Sequence, residues 1–381
     1  MKKIIQKITI EDIFGLLLML VSIIPGLILR GLCNDIWIVS ERKDEARDNG
    51  FWFFKYIATQ DRKKRIYYAI DNDSPDFSKV NQVGNTIKFG GLKHHIYTWA
   101  ATKYISSQYS NGMPSRIMFY LWLWKINPVK FCFLQHGVTQ NKSYYLRQPA
   151  KRTDLFCCVG EAERNFMISL GYRKNSAIIT GFCRYDALEK KRNKKNQILI
   201  MMTWRKYLVG LTEEEFCKSK YYISIMNMIN DPLLLRLFPN TKIIFYLHPG
   251  MRKYFHLFSS KLNNVIILDE FTENFNDLIC ESLAFITDYS SVAFDFAYLD
   301  KLVSYYQFDD DEFRQKHLQK GYFDYKADGF GPVFTSYKKI FKYISENNYK
   351  QEEFYAKRVG HFFKYHDNLN CIRVSTAVKK I

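Results

Sequence analysis

Short apolar segments recur along the whole chain, and each ends in polar or glycine-rich sequence. They are continuous, β-branched and aromatic, which is typical of strands buried on both faces of a sheet. The segments are 35–41, 65–71, 130–137, 155–161 and 176–181 in the first half, and 197–204, 242–250, 264–271, 283–291 and 302–309 in the second. The pattern therefore predicts two sets of parallel strands.

Stretches with helical spacing lie between these strands. They are 94–107, 161–170, 213–230, 273–282 and 292–299. Strands that alternate with helices favour parallel sheets covered on both faces. A polar, strongly basic stretch at 188–197 separates the two halves. We therefore predict an α/β fold of two doubly wound, Rossmann-like domains, 31–190 and 191–381, with a cleft between them and helices at the C-terminus.

The N-terminal region contains an uncharged apolar segment at 13–29, close to the shortest length that can span a bilayer. Lysines precede it, Pro25 and Gly26 interrupt it, and no small-residue cleavage site follows. We expect residues 1–30 to be membrane-associated and favour a short helix on the membrane surface. A core helix of the first domain and a true span or signal sequence stay open at this point.

The formal charge of +18, from 56 Lys and Arg against 38 Asp and Glu, attracts polyanions. Nucleic acid is disfavoured as the partner, because no RNA-binding motif is present and the basic residues spread over the chain. With the apolar segment, the charge favours peripheral attachment to the anionic cytoplasmic face of the cell membrane. The eight cysteines are scattered and predict reduced thiols. We expect no metal site, and interpret the acidic run at 308–313 as a solvated loop.

Histidines follow one apolar segment in each half of the chain. His136 and Gly137 end the segment 130–137, and His248 follows an apolar run in the second half. Ligands of open parallel sheets bind at the carboxyl ends of the strands. A neutral histidine there can take a proton from an attacking hydroxyl, and a protonated one can stabilise phosphate charge. A strand-end histidine on its own is more often structural, and the pair is what favours a site.

Phosphate-binding residues are predicted at two further strand ends. Arg205 offers a planar fork matched to phosphate oxygens. Asp288 ends a strand, and Ser290 and Ser291 begin a helix, where free N–H groups and hydroxyls favour an anion. Asp295, in the first turns of that helix, could reach ribose hydroxyls. The P-loop, the dinucleotide fingerprint and the hydrolase elbow are absent from the sequence.

Four motifs in this order resemble the CDP-glycerol glycerophosphotransferase family, the teichoic-acid primases and polymerases and related capsule enzymes. They are "LQHG", "MMTWR", "LHPG" and "ITDYSSVAFDFAYLDK". The segment "ERKDEARDNGFWFFKYI" at 41–57 resembles the acidic-Asp-Asn-Gly stretch of the same family. The resemblance covers roughly 35–345 and implies a GT-B fold with the donor in the C-terminal domain. It also implies transfer of glycerol phosphate, or ribitol phosphate, from a CDP-activated donor to a hydroxyl, with release of CMP.

The resemblance also implies roles for individual residues. His136 matches the base for the acceptor hydroxyl, and His248 matches the histidine near the pyrophosphate. Gly137 follows the first of these in the "LQHG" motif, and Ser290, Ser291 and Asp295 match the donor-binding element. One position departs from the family, because "QKGYFDY" carries Lys320 where an arginine is usual. Lysine keeps the charge and loses the bidentate fork.

Two other functions are weighed against phosphopolyol transfer. A GT-B glycosyltransferase that uses a nucleotide sugar would hold its diphosphate at a similar helix start. A nucleic-acid-binding protein would account for the charge alone. If the chain transfers a phosphopolyol, it needs no cofactor besides its CDP-glycerol or CDP-ribitol substrate. Its partners are then a lipid-linked glycan or polymer acceptor and a membrane surface.

Overall fold

The computed structural model describes residues 9–33, 35–60, 65–142, 144–188, 194–269 and 275–381. The strands in these ranges are β1 Ile36–Ser40, β2 Arg65–Ile70, β3 Asn85–Lys88, β4 Lys103–Ser106, β5 Lys130–Phe133, β6 Asn141–Lys142, β7 Leu155–Cys158, β8 Ala177–Ile179, β9 Gln197–Ile200, β10 Lys242–Tyr246, β11 Val265–Leu268, β12 Ala284–Thr287, β13 Leu302–Tyr306, β14 Gln319–Lys320 and β15 Val333–Phe334. The helices are α1 Ile10–Leu32, α2 Asn49–Gln60, α3 Phe77–Asn81, α4 Leu92–Ala100, α5 Arg116–Leu123, α6 Tyr144–Arg147, α7 Glu161–Ser169, α8 Glu213–Cys217, α9 Lys220–Ile229, α10 Leu233–Leu237, α11 Phe275–Glu281, α12 Val292–Tyr298, α13 Asp310–Lys316, α14 Tyr337–Glu346, α15 Glu353–Phe362 and α16 Asn370–Lys379.

The chain divides into two compact units. Unit 1 comprises Met1–His136, Tyr144–Ala187 and Asp367–Ile381, and unit 2 comprises Gly137–Ser143 and Leu188–His366. Part of the basic stretch at 188–197, which we took as the domain boundary, lies outside the described residues.

Each unit is built on a parallel sheet of the kind that the apolar segments predict. In unit 1 the strand order is β3-β2-β1-β4-β5-β7-β8, and every neighbouring pair is parallel. In unit 2 the order is β11-β10-β9-β12-β13-β15, again parallel throughout. Both sheets reverse their order beside the first strand, as Rossmann-like sheets do, and ligands of such sheets bind at that switch point. The predicted doubly wound α/β architecture is confirmed.

The helix predicted over 94–107 is wrong in its second half. α4 ends at Ala100, and Lys103–Ser106 forms β4 between β1 and β5. The sequence around β4 suits either structure, and pairing with a strand on each side decides the outcome.

The C-terminal segment 367–381 belongs to unit 1, not to the second domain as predicted. Asp186 accepts hydrogen bonds from the backbone N–H groups of Asn370 and Cys371, at 2.9 and 2.7 Å, and so holds the start of α16. Val374 and Val378 of the same helix are buried in the apolar core of unit 1. These contacts return the end of the chain to the first unit.

Helix α1 continues through Pro25 and Gly26, where the sequence predicts an interruption. Its narrow packing face carries small residues, and a Cβ added at Gly15 would lie 2.8 Å from the Ser115 Cβ. Gly26 meets Trp99 of α4 in the same way. This close packing offsets the hydrogen bond lost at a proline within a helix. By length and composition α1 could cross a membrane, but it is also found packed on α4 and α5.

Candidate active site

His136 and Asp48 form a hydrogen-bonded pair at the carboxyl end of the unit 1 sheet. The Nδ1 atom of His136 lies 2.6 Å from Oδ2 of Asp48. The His136 side chain is 56% exposed, whereas the Asp48 side chain is 8% exposed. The described part of the chain offers His136 Nε2 no hydrogen-bond partner, so this nitrogen is available to a substrate.

Arg184 fixes both members of the pair. Its Nη1 donates to Oδ1 of Asp48 and to the carbonyl oxygen of His136, each at 2.9 Å. Its own backbone N–H donates to Oδ1 of Asn49 at 3.0 Å. The Asn49 amide in turn donates to the carbonyl oxygen of Gln135 at 2.9 Å. The histidine is therefore held through its side chain, its own carbonyl and the residue before it.

The electrostatics of the pair suit a base that becomes positively charged. Partial desolvation opposes the charged form of His136, but the charge of Asp48 and the hydrogen bond to it outweigh this and raise the pKa of His136. Burial would raise the pKa of Asp48, but the charges and hydrogen bonds of His136 and Arg184 hold it below its usual value. Asp48 thus stays ionised and stabilises the imidazolium that forms when His136 accepts a proton.

The acidic-Asp-Asn-Gly stretch builds the loop that carries Asp48. Glu41, directly after β1, accepts hydrogen bonds from the backbone N–H groups of Arg47, Asp48 and Phe51 at 2.9, 3.1 and 2.7 Å. A Cβ at Gly50 would lie 2.8 Å from the Glu41 Cγ, so only glycine allows this approach. Burial and the charge of Asp48 raise the pKa of Glu41 to about 8.

Gln135 turns the chain between β5 and His136. Its φ of +63° is in the left-handed region, which is costly for a residue with a side chain. Its amide Nε2 donates to the carbonyl oxygen of Cys157 at 2.6 Å and to Oε1 of Glu163 at 3.0 Å. These buried contacts hold the strained conformation and set the direction in which His136 leaves the strand.

In unit 2, Arg205 and Asp288 do not have the role that the sequence suggests. Arg205 is fully buried, and its Nη2 donates to Asp288 Oδ2 at 2.7 Å. Its Nε and Nη2 also donate to the two carboxylate oxygens of Asp309, each at 2.9 Å. The expected phosphate contact of Arg205 is therefore corrected, because its fork already binds a carboxylate. Asp288 is likewise corrected from a substrate ligand to a partner of Arg205 and of the Thr203 N–H at 2.8 Å.

Ser290 and Ser291 begin α12 beside β12, next to the switch point of the second sheet. Ser290 Oγ accepts from the backbone N–H of Val292 at 3.2 Å, and Ser290 is 8% exposed. Gly137 lies against Ser291, since a Cβ on Gly137 would be 2.5 Å from Ser291 Oγ. Asp295 is buried within α12, so its contact with a ribose stays a prediction.

His248 lies beside the Trp204 ring, a contact that the sequence does not predict. Its Nδ1 accepts from the Gly250 N–H at 3.0 Å, and its ring stacks near Trp204 with centroids 6.4 Å apart. His317 meets the Trp204 ring edge-on, with centroids 4.8 Å apart. Burial and the positive charge of Arg205 lower the pKa of His317 to about 4. His317 is therefore neutral at physiological pH.

Lys320 lies in β14, which pairs antiparallel with β6, so that Lys320 is opposite Asn141. Its side chain is 60% exposed and forms an ion pair with Asp324 at 2.5 Å. It is therefore open to a ligand, as the sequence predicts for the position of the family arginine, although contact with phosphate stays untested.

Sequence reasoning missed Asp48, Arg184 and His317. Asp48 lies within the stretch quoted for the family resemblance, which was the available signal. Arg184 and His317 carry no local signal. Asp48 lies 136 residues from Arg184, and the Lys206 N–H that donates to His317 Nδ1 lies 111 residues from that histidine.

Comparison with known proteins agrees with this fold. The class of fold is GT-B-like, with a Rossmann-like sheet in each of two units. A family model described as CDP-glycerol:poly(glycerophosphate) glycerophosphotransferase matches residues 28–380, so the chain belongs to this family. The predicted resemblance is confirmed.

The relatives include proteins of teichoic acid biosynthesis. The minor teichoic acid biosynthesis protein GgaB of Bacillus subtilis is 30% identical over 376 residues, which is 91% of this chain and 40% of GgaB. A teichoic acid poly(glycerol phosphate) polymerase of Bacillus spizizenii is 28% identical over 222 residues, 55% of this chain and 52% of that protein. The chain thus spans about half the length, or less, of these curated relatives.

A solved structure of the wall teichoic acid polymerase TagF superposes with a TM-score of 0.70. The match covers 98% of both chains at 15% sequence identity. At this identity the likeness shows the fold.

Proposed function

We propose that this chain transfers a polyol phosphate, most simply glycerol phosphate, from a CDP-activated donor to a hydroxyl of a lipid-linked or polysaccharide acceptor. CMP is the leaving product, and the pathway is teichoic acid or capsule biosynthesis. The observation that carries the proposal is the His136–Asp48 pair, with one imidazole nitrogen held and the other available. Family membership and the named relatives supply the donor class.

The pair performs one defined step. His136 Nε2 accepts the proton of the acceptor hydroxyl as its oxygen attacks the phosphorus that carries glycerol. A new P–O bond forms, the P–O bond to CMP breaks, and CMP leaves with the bonding electron pair. Asp48 stabilises the imidazolium, which then releases its proton to solvent. Phosphoryl transfer needs chiefly such positioning and charge stabilisation.

Donor binding is assigned to unit 2, as the family resemblance implies. Ser290 and Ser291 would bind the diphosphate at the sheet switch point, with His248 and Lys320 as further contacts. Arg205 supports this region structurally, because its buried ion pair holds Asp288, which directly follows β12 and lies two positions before Ser290. Arg205 thus positions this region of the chain and does not itself contact the diphosphate.

We also assign α1 to the surface of the cell membrane, on its cytoplasmic side. Apart from the packing strip, its apolar side chains are exposed, with Ile13, Leu17, Leu20 and Ile24 between 54% and 70%. Burial of such side chains is favourable by about 1.5–3 kcal/mol each. A surface helix of this kind fits an enzyme whose acceptor is lipid-linked.

The test is product release by purified protein offered CDP-glycerol, CDP-ribitol and a panel of UDP-sugars, each with a membrane extract as acceptor. CMP release from a CDP-polyol is the expected result and names the donor. Release of UDP from a nucleotide sugar alone would keep the fold and replace the function with glycosyl transfer. The His136→Ala protein is the low-activity control, since its turnover should fall by about 10²-fold or more.

A further inference from the structure

The chain leaves unit 1 directly after His136 and returns to it at Tyr144, and the segment between belongs to unit 2. The residues described in this excursion are 137–142. They come from the half of the sequence that otherwise forms the first unit. We call them the 137–142 segment.

The first contacts of this segment are with the predicted donor-binding turn, residues 289–291. Gly137 lies against Ser291 so closely that an added Cβ would be 2.5 Å from Ser291 Oγ. Gln140 is 5% exposed, and its Nε2 donates to the carbonyl oxygen of Tyr289 at 2.6 Å. The turn is thus contacted at both of its ends by residues of one short segment.

The other contacts are with the "QKGYFDY" element. Asn141 and Lys142 pair with Lys320 and Gln319 in the β6–β14 ladder. Gly321 meets the backbone of Gln140 so directly that a Cβ there would overlap the Gln140 carbonyl oxygen. Arg314 Nη1 also donates to Asn141 Oδ1 at 2.8 Å.

The 137–142 segment therefore joins two motifs that are separate in the sequence, the donor turn and the Lys320 strand. Its fixed points are the backbone approach at Gly321, which requires glycine, and one buried side-chain amide, that of Gln140. A buried amide bound to a backbone carbonyl makes a specific anchor, because leaving either group unpaired costs stability. Packing of the segment against residues 289–291 alone would not require an amide at position 140, whereas the hydrogen bond to the Tyr289 carbonyl oxygen does.

From these contacts we infer that Gln140 is a positioning residue for the nucleoside diphosphate donor. It acts by holding residues 289–291 in the conformation that presents Ser290 and Ser291 to the phosphates. This inference rests on the proposed function and adds to it a residue outside the recognised motifs. On this inference Gln140 acts through the turn and not by contact with the donor.

The test uses the full chain and calorimetric binding of CDP-glycerol, with His136→Ala in every protein to prevent turnover. Gln140→Met keeps the side-chain volume and removes the N–H donor to Tyr289. We expect its Kd for CDP-glycerol to rise roughly tenfold, the order expected when one hydrogen bond that fixes a binding turn is lost. Gln315→Met, at an exposed glutamine of α13, is the matched control and should leave Kd unchanged.

A double-mutant cycle with Ser291→Ala separates positioning from a general loss of stability. If Gln140 acts through the turn, the two changes should weaken binding by less than the product of their separate effects. A lower melting temperature with an unchanged Kd would overturn the inference, as would independent effects in the cycle. If the protein with Gln140 intact binds neither CDP-glycerol nor CDP-ribitol, the proposed function falls as well, whereas equal binding by both proteins overturns this inference alone.

Discussion

The imidazole of His136 is bound at Nδ1 by a carboxylate, Asp48, that lies 88 residues earlier in the chain, with 2.6 Å between the two atoms. This relationship makes His136 more than a strand-end histidine, because it fixes the ring and sets its pKa. The pair stands at the carboxyl end of a Rossmann-like sheet, where such sheets place their chemistry.

Replacement of His136 by alanine should reduce CMP formation by about 10²-fold or more, the usual contribution of a general base. Donor binding should survive, because the predicted donor residues lie in unit 2. Steady-state CMP release and CDP-glycerol binding give the two readings. His361→Ala, at an exposed histidine of α15, is the matched control. Activity within a few-fold of the unaltered protein would show that another group is the base.

Replacement of Asp48 by asparagine keeps the shape and removes the charge. We expect kcat to fall by about 10²- to 10⁴-fold, the upper value being that seen when the aspartate that orients a catalytic histidine is replaced by asparagine. The melting temperature should also be compared, because Arg184 loses its buried partner. Asp73→Asn, at an exposed aspartate, is the control. An unchanged kcat would mean that Asp48 has only a structural role.

The pH dependence of kcat/KM tests the same pair by the position of its acid limb. His136 must be neutral to act as a base, and its pKa is raised above the ordinary imidazole value of about 6.5. As the pH is lowered, kcat/KM should therefore begin to fall at a pH above about 6.5. In Asp48→Asn the limb should move to lower pH, because the charge that favours imidazolium is gone. An acid limb that stays in place would show that His136 does not control it.

The same shift affects stability with a definite sign. Because the folded-state pKa of His136 is raised, its contribution to stability is fully present below the unfolded pKa of about 6.5 and is lost as pH rises through the folded value. The melting temperature of the unaltered protein relative to His136→Ala should therefore decrease from pH 6 to pH 9. A difference that is constant over this range would contradict the raised pKa.

Arg205 should behave as a structural residue. Removing one member of a buried ion pair typically costs about 3–5 kcal/mol, so Arg205→Ala should lower the free energy of unfolding by that order or prevent folding of unit 2. Arg205→Lys, which keeps the charge and loses the fork, should fold with lower stability and allow the donor Kd to be measured. A large rise in donor Kd at unchanged melting temperature would instead restore the phosphate-binding role.

Membrane attachment should depend on the exposed face of α1. Leu17→Asp with Leu20→Asp should reduce binding to vesicles of anionic lipid by at least tenfold in a flotation assay, because two charges would enter the interface. Ile223→Asp, at a residue 47% exposed on α9, is the control and should leave vesicle binding unchanged. Equal flotation of the unaltered protein, the double variant and the control would show that α1 does not bind the membrane.

Much of the fold follows from local sequence. Continuous apolar runs of strand length predict strands wherever both faces are buried, and β1, β5, β9 and β12 all lie within the predicted segments. The strand β4 was missed because its sequence suits a helix equally well. The end of the chain was placed in the wrong unit because local sequence does not indicate which core a terminal helix joins.

The sequence by itself determined the class of fold, the strand-end positions of His136, His248 and Ser290, and the family resemblance that the comparisons confirm. It could do so because strand and helix periodicity and short motifs are local properties. Tertiary structure alone decided which charges are paired. Asp48 and Arg184 contact His136 only after folding. Arg205 is ion-paired with Asp288 and Asp309 in the core. Burying an unpaired charge is costly, so buried charges are paired, and the fold determines which groups lie close enough to pair.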